Sequence, residues 1–294
     1  MSVRRETIYN PPKSHRLASG HGWAVSDIVC AAGPLDRPFE ERHTQTSIAI
    51  VVGGTFQYRS STGRDLMTPG SFLLGNAGDS FTCGHEHGTG DRCIAFSYAP
   101  EFFERLARQI GTHSTRFKVP RLPPIRASAP LVAKASTMLG GIDPMAGEEL
   151  SVEVATQAMQ IAHCIPQSRT GAAPSSLARV TRVVRMIEND ADTAQDLNQL
   201  ARVARLSRYH FLRTFEELTG TTPHQYLLRV RLRRAAIRLR SESTKISDIA
   251  LESGFGDISN FNRAFRAEFG ANPRTYRSLP FSYTSKFRSK ARSQ

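Results

Sequence analysis

Cysteine is scarce in this sequence: Cys30, Cys83, Cys93 and Cys164 are the four among 294 residues, and no two form a C-x-x-C pair. That number excludes a disulfide framework in a chain of this size, so reduced thiols are expected. Long apolar runs are missing as well. No stretch reaches the ~20 consecutive apolar residues that a membrane helix needs. The opening residues Met1-Ser2-Val3-Arg4-Arg5-Glu6 lack an apolar signal core. A soluble, cytoplasmic chain with no membrane partner is therefore expected. Acidic side chains are the third shortage, since 26 Asp and Glu face 39 Lys and Arg and leave a net charge of +13. Such a field favours polyanionic partners. With 39 % apolar and 22 % charged residues, disordered, collagen-like and coiled-coil classes are excluded.

The basic surplus is unevenly placed. Residues 1–174 hold 17 basic and 15 acidic side chains, whereas residues 175–294 hold 22 and 11. A merely soluble basic protein would account for the total but not for this concentration in one part. The length fits two domains of ordinary size. Between the two parts, Pro166-Gln167-Ser168-Arg169-Thr170-Gly171-Ala172-Ala173-Pro174-Ser175-Ser176 has the composition of a connector. The expected organisation is an N-terminal domain over 1–165, a linker over 166–176, a C-terminal domain over 177–280 and a basic tail over 281–294.

Upstream, from about Trp23 to Tyr98, short β-rich runs alternate with turn residues. The runs are Trp23–Val29, Ser47–Val52, Thr55–Arg59, Ser71–Leu74 and Arg92–Tyr98, with Gly53-Gly54 and Ser61-Thr62-Gly63-Arg64 as hairpin signals. Strands spaced this closely predict a sandwich or small barrel. From Pro100 the period changes to helical. Phe102, Phe103, Leu106 and Ile110 share one face, and a second helix over about 148–165 carries Val154, Ala158, Ile161 and Ile165. That second face is expected to pack on the barrel or on another copy of the chain.

Downstream the pattern is helical, and it repeats. Phe211, Arg213 and Phe215 return as Phe261, Arg263 and Phe265, and Gly220, Pro223 and Tyr226 return as Gly270, Pro273 and Tyr276, all 50 residues later. Leu197, Leu200 and Ala201 match Ile246, Ile249 and Ala250 at an offset of 49, so a one-residue change falls in the intervening turn. Nine positions in register mark one supersecondary unit used twice.

Each copy reads as a short helix, a turn and a longer helix, the latter opened by an N-cap residue, Ser207 or Asp257. Phe211 with Phe215, and Phe261 with Phe265, lie one turn apart and bury on one face. The other face keeps Arg208, Tyr209, Leu212 and Arg213 in the first copy and Ser259, Asn262 and Arg263 in the second. That is the geometry of a helix-turn-helix whose second helix enters the major groove of duplex DNA. Arg can grip guanine O6 and N7, and Asn can pair with adenine N6 and N7. Leu212 is non-polar and can only touch a thymine methyl or act as spacing. The competing explanation, a solvated arginine face, leaves the duplication unexplained. Between the units, a helix over about 223–240 carries Arg229, Arg231, Arg233, Arg234, Arg238 and Arg240 beside an apolar stripe. It is expected to pack both units while lying near phosphates.

These residues resemble a known family. The stretch Ile249-Ala250-Leu251-Glu252-Ser253-Gly254-Phe255, then Phe261-Asn262-Arg263-Ala264-Phe265-Arg266 and Gly270-Ala271-Asn272-Pro273-Arg274-Thr275-Tyr276-Arg277, is similar to the signature of AraC/XylS transcription regulators. The resemblance covers about Val180 to Tyr276. It implies a seven-helix domain that binds promoter DNA, and activation of transcription through RNA polymerase. Its base-contacting positions fall on Tyr209, Leu212, Arg213, Ser259, Asn262 and Arg263.

The upstream part more loosely resembles the cupin-like sensor of the same family, which implies an unidentified small-molecule effector and a homodimer. The overall class expected is α+β: a cupin-like β-barrel with flanking helices, then an all-α double helix-turn-helix. The metal motif of enzymatic cupins is not intact, since His43 stands alone where a pair of histidines and a glutamate belong. Cys83, His85 and His87 alternate, so on a strand they would share a face, with Cys93 six residues beyond His87. With His43 they are candidates for a zinc or copper site or a redox-sensitive thiol pair; against this, Gly84 and Gly88-Thr89-Gly90 fit a flexible loop whose histidines are solvated or line an effector pocket. Cys30 and Cys164 read as ordinary buried thiols. No cofactor and no enzymatic activity are expected. Two alternatives are a metal-dependent cupin enzyme with an appended nucleic-acid module, and a DNA-repair methyl acceptor, for which the dense zinc–cysteine cluster is lacking.

Overall fold

A computed structural model of the chain describes residues 11–38, 40–85, 87–112, 114–141, 143–165 and 173–279. The N-terminal part contains ten strands: β1 (Lys13–Gly20), β2 (Trp23–Cys30), β3 (Glu40–Arg42), β4 (Thr46–Gly54), β5 (Phe56–Ser60), β6 (Gly63–Met67), β7 (Phe72–Gly75), β8 (Ser80–Gly84), β9 (Asp91–Tyr98) and β10 (Arg121–Leu122). They form two sheets, ordered β1-β2-β9-β4-β7-β10 and β3-β8-β5-β6. The barrel expected from the sequence is thus an open pair of sheets, with no ladder joining them among the described residues. Strands β1, β3 and β6 carry polar, alternation-poor sequences, and β10 has two residues, so none of them stood out.

The two faces of the larger sheet differ in side-chain size. Its outer face presents Val25, Ile48, Ile50, Phe72, Leu74, Ile94, Phe96 and Tyr98 to three helices, α1 (Pro100–Gln109), α2 (Ala129–Thr137) and α3 (Pro144–Cys164). Packed against them are Phe102, Phe103 and Leu106 of α1 and Leu150, Val154 and Ala158 of α3. The face predicted for α3 therefore lies on the sheet. The inner face offers Ala49, Leu73, Cys93 and Ala95 toward Phe56 of the smaller sheet. Small side chains on that face leave a space between the sheets, because two sheets about 10 Å apart close only where large side chains interdigitate.

The helical part comprises α4 (Pro174–Asn189), α5 (Leu197–Ala204), α6 (Arg208–Thr219), α7 (Pro223–Ser241), α8 (Ile246–Glu252), α9 (Ile258–Phe269) and α10 (Pro273–Ser278). Helix α4 begins inside the stretch expected to be a linker. The remainder of that linker, residues 166–172, and the basic tail from residue 280 onward lie outside the described residues. Two apolar clusters organise these helices, one around Phe211 and Phe215 with α4 and α5, the other around Phe261 and Phe265 with α7, α8 and α10. Neither is closed by α4–α10 alone. Leu66 of β6 enters the first cluster and Ala133 of α2 the second.

The arginines of α7 depart from expectation. Arg229 donates to the Pro124 carbonyl at 2.9 Å, Arg231 to the Ala191 and Thr193 carbonyls at 2.6 and 2.8 Å, and Arg233 to both oxygens of Glu188 at 2.9 and 2.7 Å. Arg234 bonds the Glu188 carbonyl, Arg238 pairs with Glu242 and Glu252, and Arg240 reaches the carbonyls of Tyr276 and Leu279. All six are engaged by carbonyls or carboxylates of the chain itself. Loops and helix ends packed around α7 present carbonyls with no intrahelical donor, and guanidinium forks satisfy them.

Candidate functional site

The two copies of the repeat superpose in local detail. Helix α5 ends on Arg205, which donates its N–H to the Arg202 carbonyl and has φ +53°, and Leu206 N–H bonds the Ala201 carbonyl. In the second copy Gly254 and Phe255 make the same two bonds, to Leu251 and Ala250, with φ +89° at Gly254. The left-handed conformation suits glycine and strains arginine, so the first turn is the less comfortable of the two. The offset rises from 49 to 50 immediately afterwards, which identifies Gly256 as the inserted residue. Ser207 then accepts from His210 N–H at 3.4 Å, and Asp257 accepts from the N–H groups of Ser259 and Asn260 at 3.1 and 2.7 Å. Both long helices end on a left-handed glycine, Gly220 or Gly270, each with φ +75°.

Phe211, Phe215, Phe261 and Phe265 are fully buried, so the opposite faces of α6 and α9 must point outward. Tyr209 is 73 % exposed and Leu212 36 % exposed, an apolar and aromatic surface that folding alone does not require. Arg208, Arg213, Ser259, Asn262 and Arg263 are exposed as well. Arg213 pairs with Glu217 one turn on at 2.9 Å, which raises the guanidinium pKa further. Both partners stand in water, so the pair opens at little cost. Arg263 donates to Asn260 Oδ1 at 3.0 Å. Asn262 and Arg263 share an open groove between α8, α9 and α10 with Arg266 and Arg274. Those last two cations escaped the sequence reading; the spacing of Arg266, three residues after Arg263, was the available signal.

The second site lies between the sheets, a cavity of about 640 Å³ lined by Cys30, His43, Cys83, His85, Asp91 and Cys93 among largely apolar neighbours. Of the predicted set, His43, Cys83, His85 and Cys93 are brought together here. His87 is not; it borders a small hollow with Thr55, Leu66, Leu177 and Thr181. The shared face fails because β8 ends at Gly84, and the chain turns before His87. Phe56 lines both spaces, and Leu177 and Thr181 of α4 line the second. Cys30 and Asp91 were not recognised as site residues. They stand opposite each other on β2 and β9, 61 positions apart in sequence, where no local spacing announces them. Cys164, expected to be buried, is exposed at the end of α3.

His43 shares a 2.8 Å hydrogen bond with the Tyr58 hydroxyl and stacks on Phe81 with ring centroids 4.1 Å apart. Gly75 makes room for it, since a Cβ there would collide with the imidazole. Burial pushes the His43 pKa down to about 4, against a smaller opposing pull from Asp79. The folded imidazole therefore stays neutral while an unfolded one protonates near pH 6.5, so its contribution is complete above pH 6.5 and lost as pH falls toward 4. Urea unfolding at pH 7 and pH 4.5 should show about 2 kcal/mol of that loss in the native chain. It should be absent in His43→Gln, and an equal loss in the variant would show that another group titrates. His85 behaves oppositely. Burial lowers its pKa, but hydrogen bonds to Asp91 and Cys30 and the Asp91 charge outweigh this and carry it to about 9.

The family described as "Helix-turn-helix domain" matches residues 200–278, a span that takes in most of the first copy of the repeat and all of the second. Similar proteins include the transcriptional activator NphR of a Rhodococcus species, 27 % identical over 240 residues that cover 78 % of this chain and 69 % of that one. The HTH-type transcriptional activator RhaS of Klebsiella pneumoniae (strain 342) is 35 % identical over 100 residues, 34 % of this chain and 36 % of its own length. The matched residues form a helix-turn-helix domain of the AraC type. Among solved structures, the DNA-binding domain of AdpA in complex with a target DNA covers 34 % of this chain and 89 % of that one, with 29 % identity and a TM-score of 0.33. Helices α4–α10 are the seven that an AraC/XylS DNA-binding domain is expected to have. No helix among the described residues is long and apolar enough to cross a membrane.

Proposed function

We propose that this chain is a sequence-specific DNA-binding activator of transcription of the AraC/XylS family, acting in the cytoplasm as a homodimer and through RNA polymerase. In this reading residues 177–280 bind promoter DNA, and residues 1–165 sense a small molecule and dimerise. The observation that carries it is the pair of equivalent, capped helices whose buried phenylalanines turn Tyr209, Leu212 and Arg213, and Ser259, Asn262 and Arg263, to the surface. Helix α7, 19 residues long, spans roughly 28 Å at about 1.5 Å per residue. That length suits two reading helices in consecutive major grooves, about 34 Å apart on one side of the duplex. Tyr209 and Leu212 would supply apolar contact with thymine methyls, and the arginines and Asn262 the polar reading.

The effector cavity supports the regulatory half of the reading. It is concave, mostly apolar and equipped with a few polar groups, as small-molecule sites generally are. Phe56 borders both the cavity and the hollow beside α4, and the Tyr226 hydroxyl of α7 lies 3.5 Å from the Pro69 carbonyl. A ligand that moves the smaller sheet would therefore act on helices that set the DNA-binding units. An appended enzyme has no comparable support.

Genome-wide mapping of bound sites, followed by fluorescence anisotropy with one mapped duplex and a scrambled one, tests the proposal. Preference for the mapped duplex is expected, with affinity falling on the order of 10³-fold between 50 and 200 mM salt for about six phosphate contacts. Equal binding to both duplexes at every salt concentration would remove the regulator reading.

A further inference from the structure

One end of the inter-sheet cavity gathers groups that the regulator reading leaves unused. Cys30 of β2 faces Asp91 of β9 across the ladder, and His85 reaches over from the end of β8 in the other sheet. The Cys30 Sγ, a ring nitrogen of His85 and a carboxylate oxygen of Asp91 all lie within 4.8 Å of one another. His85 Nε2 is 2.5 Å from Asp91 Oδ1, and Cys93 Sγ is 3.4 Å from Asp91 Oδ2. Cys30, His85 and Cys93 are buried, and all four residues line the cavity.

We infer that Cys30, His85 and Asp91 form a binding site for a zinc ion, with the remaining coordination position turned toward the cavity beside Cys93. The donor set decides the ion. One thiolate and one imidazole disfavour magnesium and calcium, which want oxygen, whereas a sulfur, nitrogen and oxygen set is ordinary for zinc. The distances are compatible. Zinc–ligand bonds of about 2.0 to 2.3 Å place tetrahedral donors roughly 3.3 to 3.8 Å apart. His85 and Asp91, 2.5 Å apart, would move apart as the ion replaces the proton between them. The thiol proton of Cys30 is released as well, so binding exchanges two protons for one dication. Because the ligands come from both sheets, the ion would tie β2 and β9 to β8, the strand whose end leads to His87 and the hollow against α4.

Cobalt(II) titration of the chelator-stripped full-length chain tests the site, since a cobalt–thiolate bond produces a charge-transfer absorption that oxygen and nitrogen ligands do not. One equivalent of cobalt is expected to bind with that band, and zinc should displace it. Cys30→Ser should abolish the band, and His85→Gln should weaken zinc binding on the order of 100-fold or more, as removal of even a supporting group costs 10- to 100-fold. Cys164→Ser, at the exposed end of α3, should leave the spectrum unchanged. The inference is overturned by a native chain that shows no stoichiometric band, by a band that persists in Cys30→Ser, or by one that disappears in Cys164→Ser. The native-chain result stands even if a variant fails to fold. The site is independent of DNA recognition, so its failure leaves the regulator proposal intact.

Discussion

Arg263→Ala is expected to lower affinity for the mapped DNA site by about 10- to 100-fold, the range associated with loss of one bidentate base contact, without changing the melting temperature. The argument rests on where the side chain stands. Arg263 is exposed on α9, and its guanidinium bonds Asn260 on the same helix. The helix itself is held by the Asp257 cap and by buried Phe261 and Phe265, none of which involves Arg263. Affinity for a scrambled duplex should change far less, because phosphate contacts carry no sequence information. Arg231→Ala is the instructive contrast. That guanidinium clamps the Ala191 and Thr193 carbonyls, so its loss should reduce stability and leave sequence preference as it was. Anisotropy on both duplexes, paired with thermal unfolding, separates the cases. Unchanged discrimination in Arg263→Ala would take that residue out of the reading set.

The largest loss of stability is expected from Arg233→Ala. Arg233 donates to both oxygens of Glu188, with side-chain exposures of 13 % and 18 %, and the Tyr226 hydroxyl donates to the same carboxylate at 2.9 Å. Burial opposes the Arg233 charge, but Glu188 and Tyr226 hold its pKa above the ordinary value. Truncation strands a largely buried carboxylate with one neutral donor, which costs about 3 to 5 kcal/mol. At roughly 2 to 4 °C per kcal/mol for a chain of this order of size, the midpoint should fall by about 10 °C. Replacing both partners, as Arg233→Met with Glu188→Gln, should recover most of the loss, since an apolar or neutral pair has no charge to strand. Calorimetry on the two single variants and the double checks this. Additive losses would mean that the two residues are not coupled. The same Tyr226 hydroxyl contacts Pro69, so the pair also steadies the seam between sheet and helices.

The arginines mark where sequence patterns stop being informative. In Arg208, Arg213 and Arg263, and in Arg229, Arg231 and Arg233, the residue type and helical context are alike. The first three face water, and the others end on carbonyls or Glu188. A basic helix can thus be either a surface for phosphate or a set of internal clamps, and the identity of the residues does not distinguish them. The alternation of Cys83, His85 and His87 misled for a related reason. Alternation assigns a shared face only while the strand continues, and β8 stops at Gly84.

The sequence alone determined the duplicated helix-turn-helix, its caps, its buried phenylalanines and its outward residues. Each of these is set by spacing within one turn or by an exact repeat, so local geometry suffices. It also determined the central strands, where apolar residues run together because both faces are covered. Only the tertiary structure decided that the barrel is an open pair of sheets, that small inner side chains leave a cavity, and that Leu66 and Ala133 complete the helical cores. The meeting of Cys30, His85 and Asp91 belongs with these. Contacts between residues tens of positions apart depend on strand order and register, and neither is encoded in any local spacing.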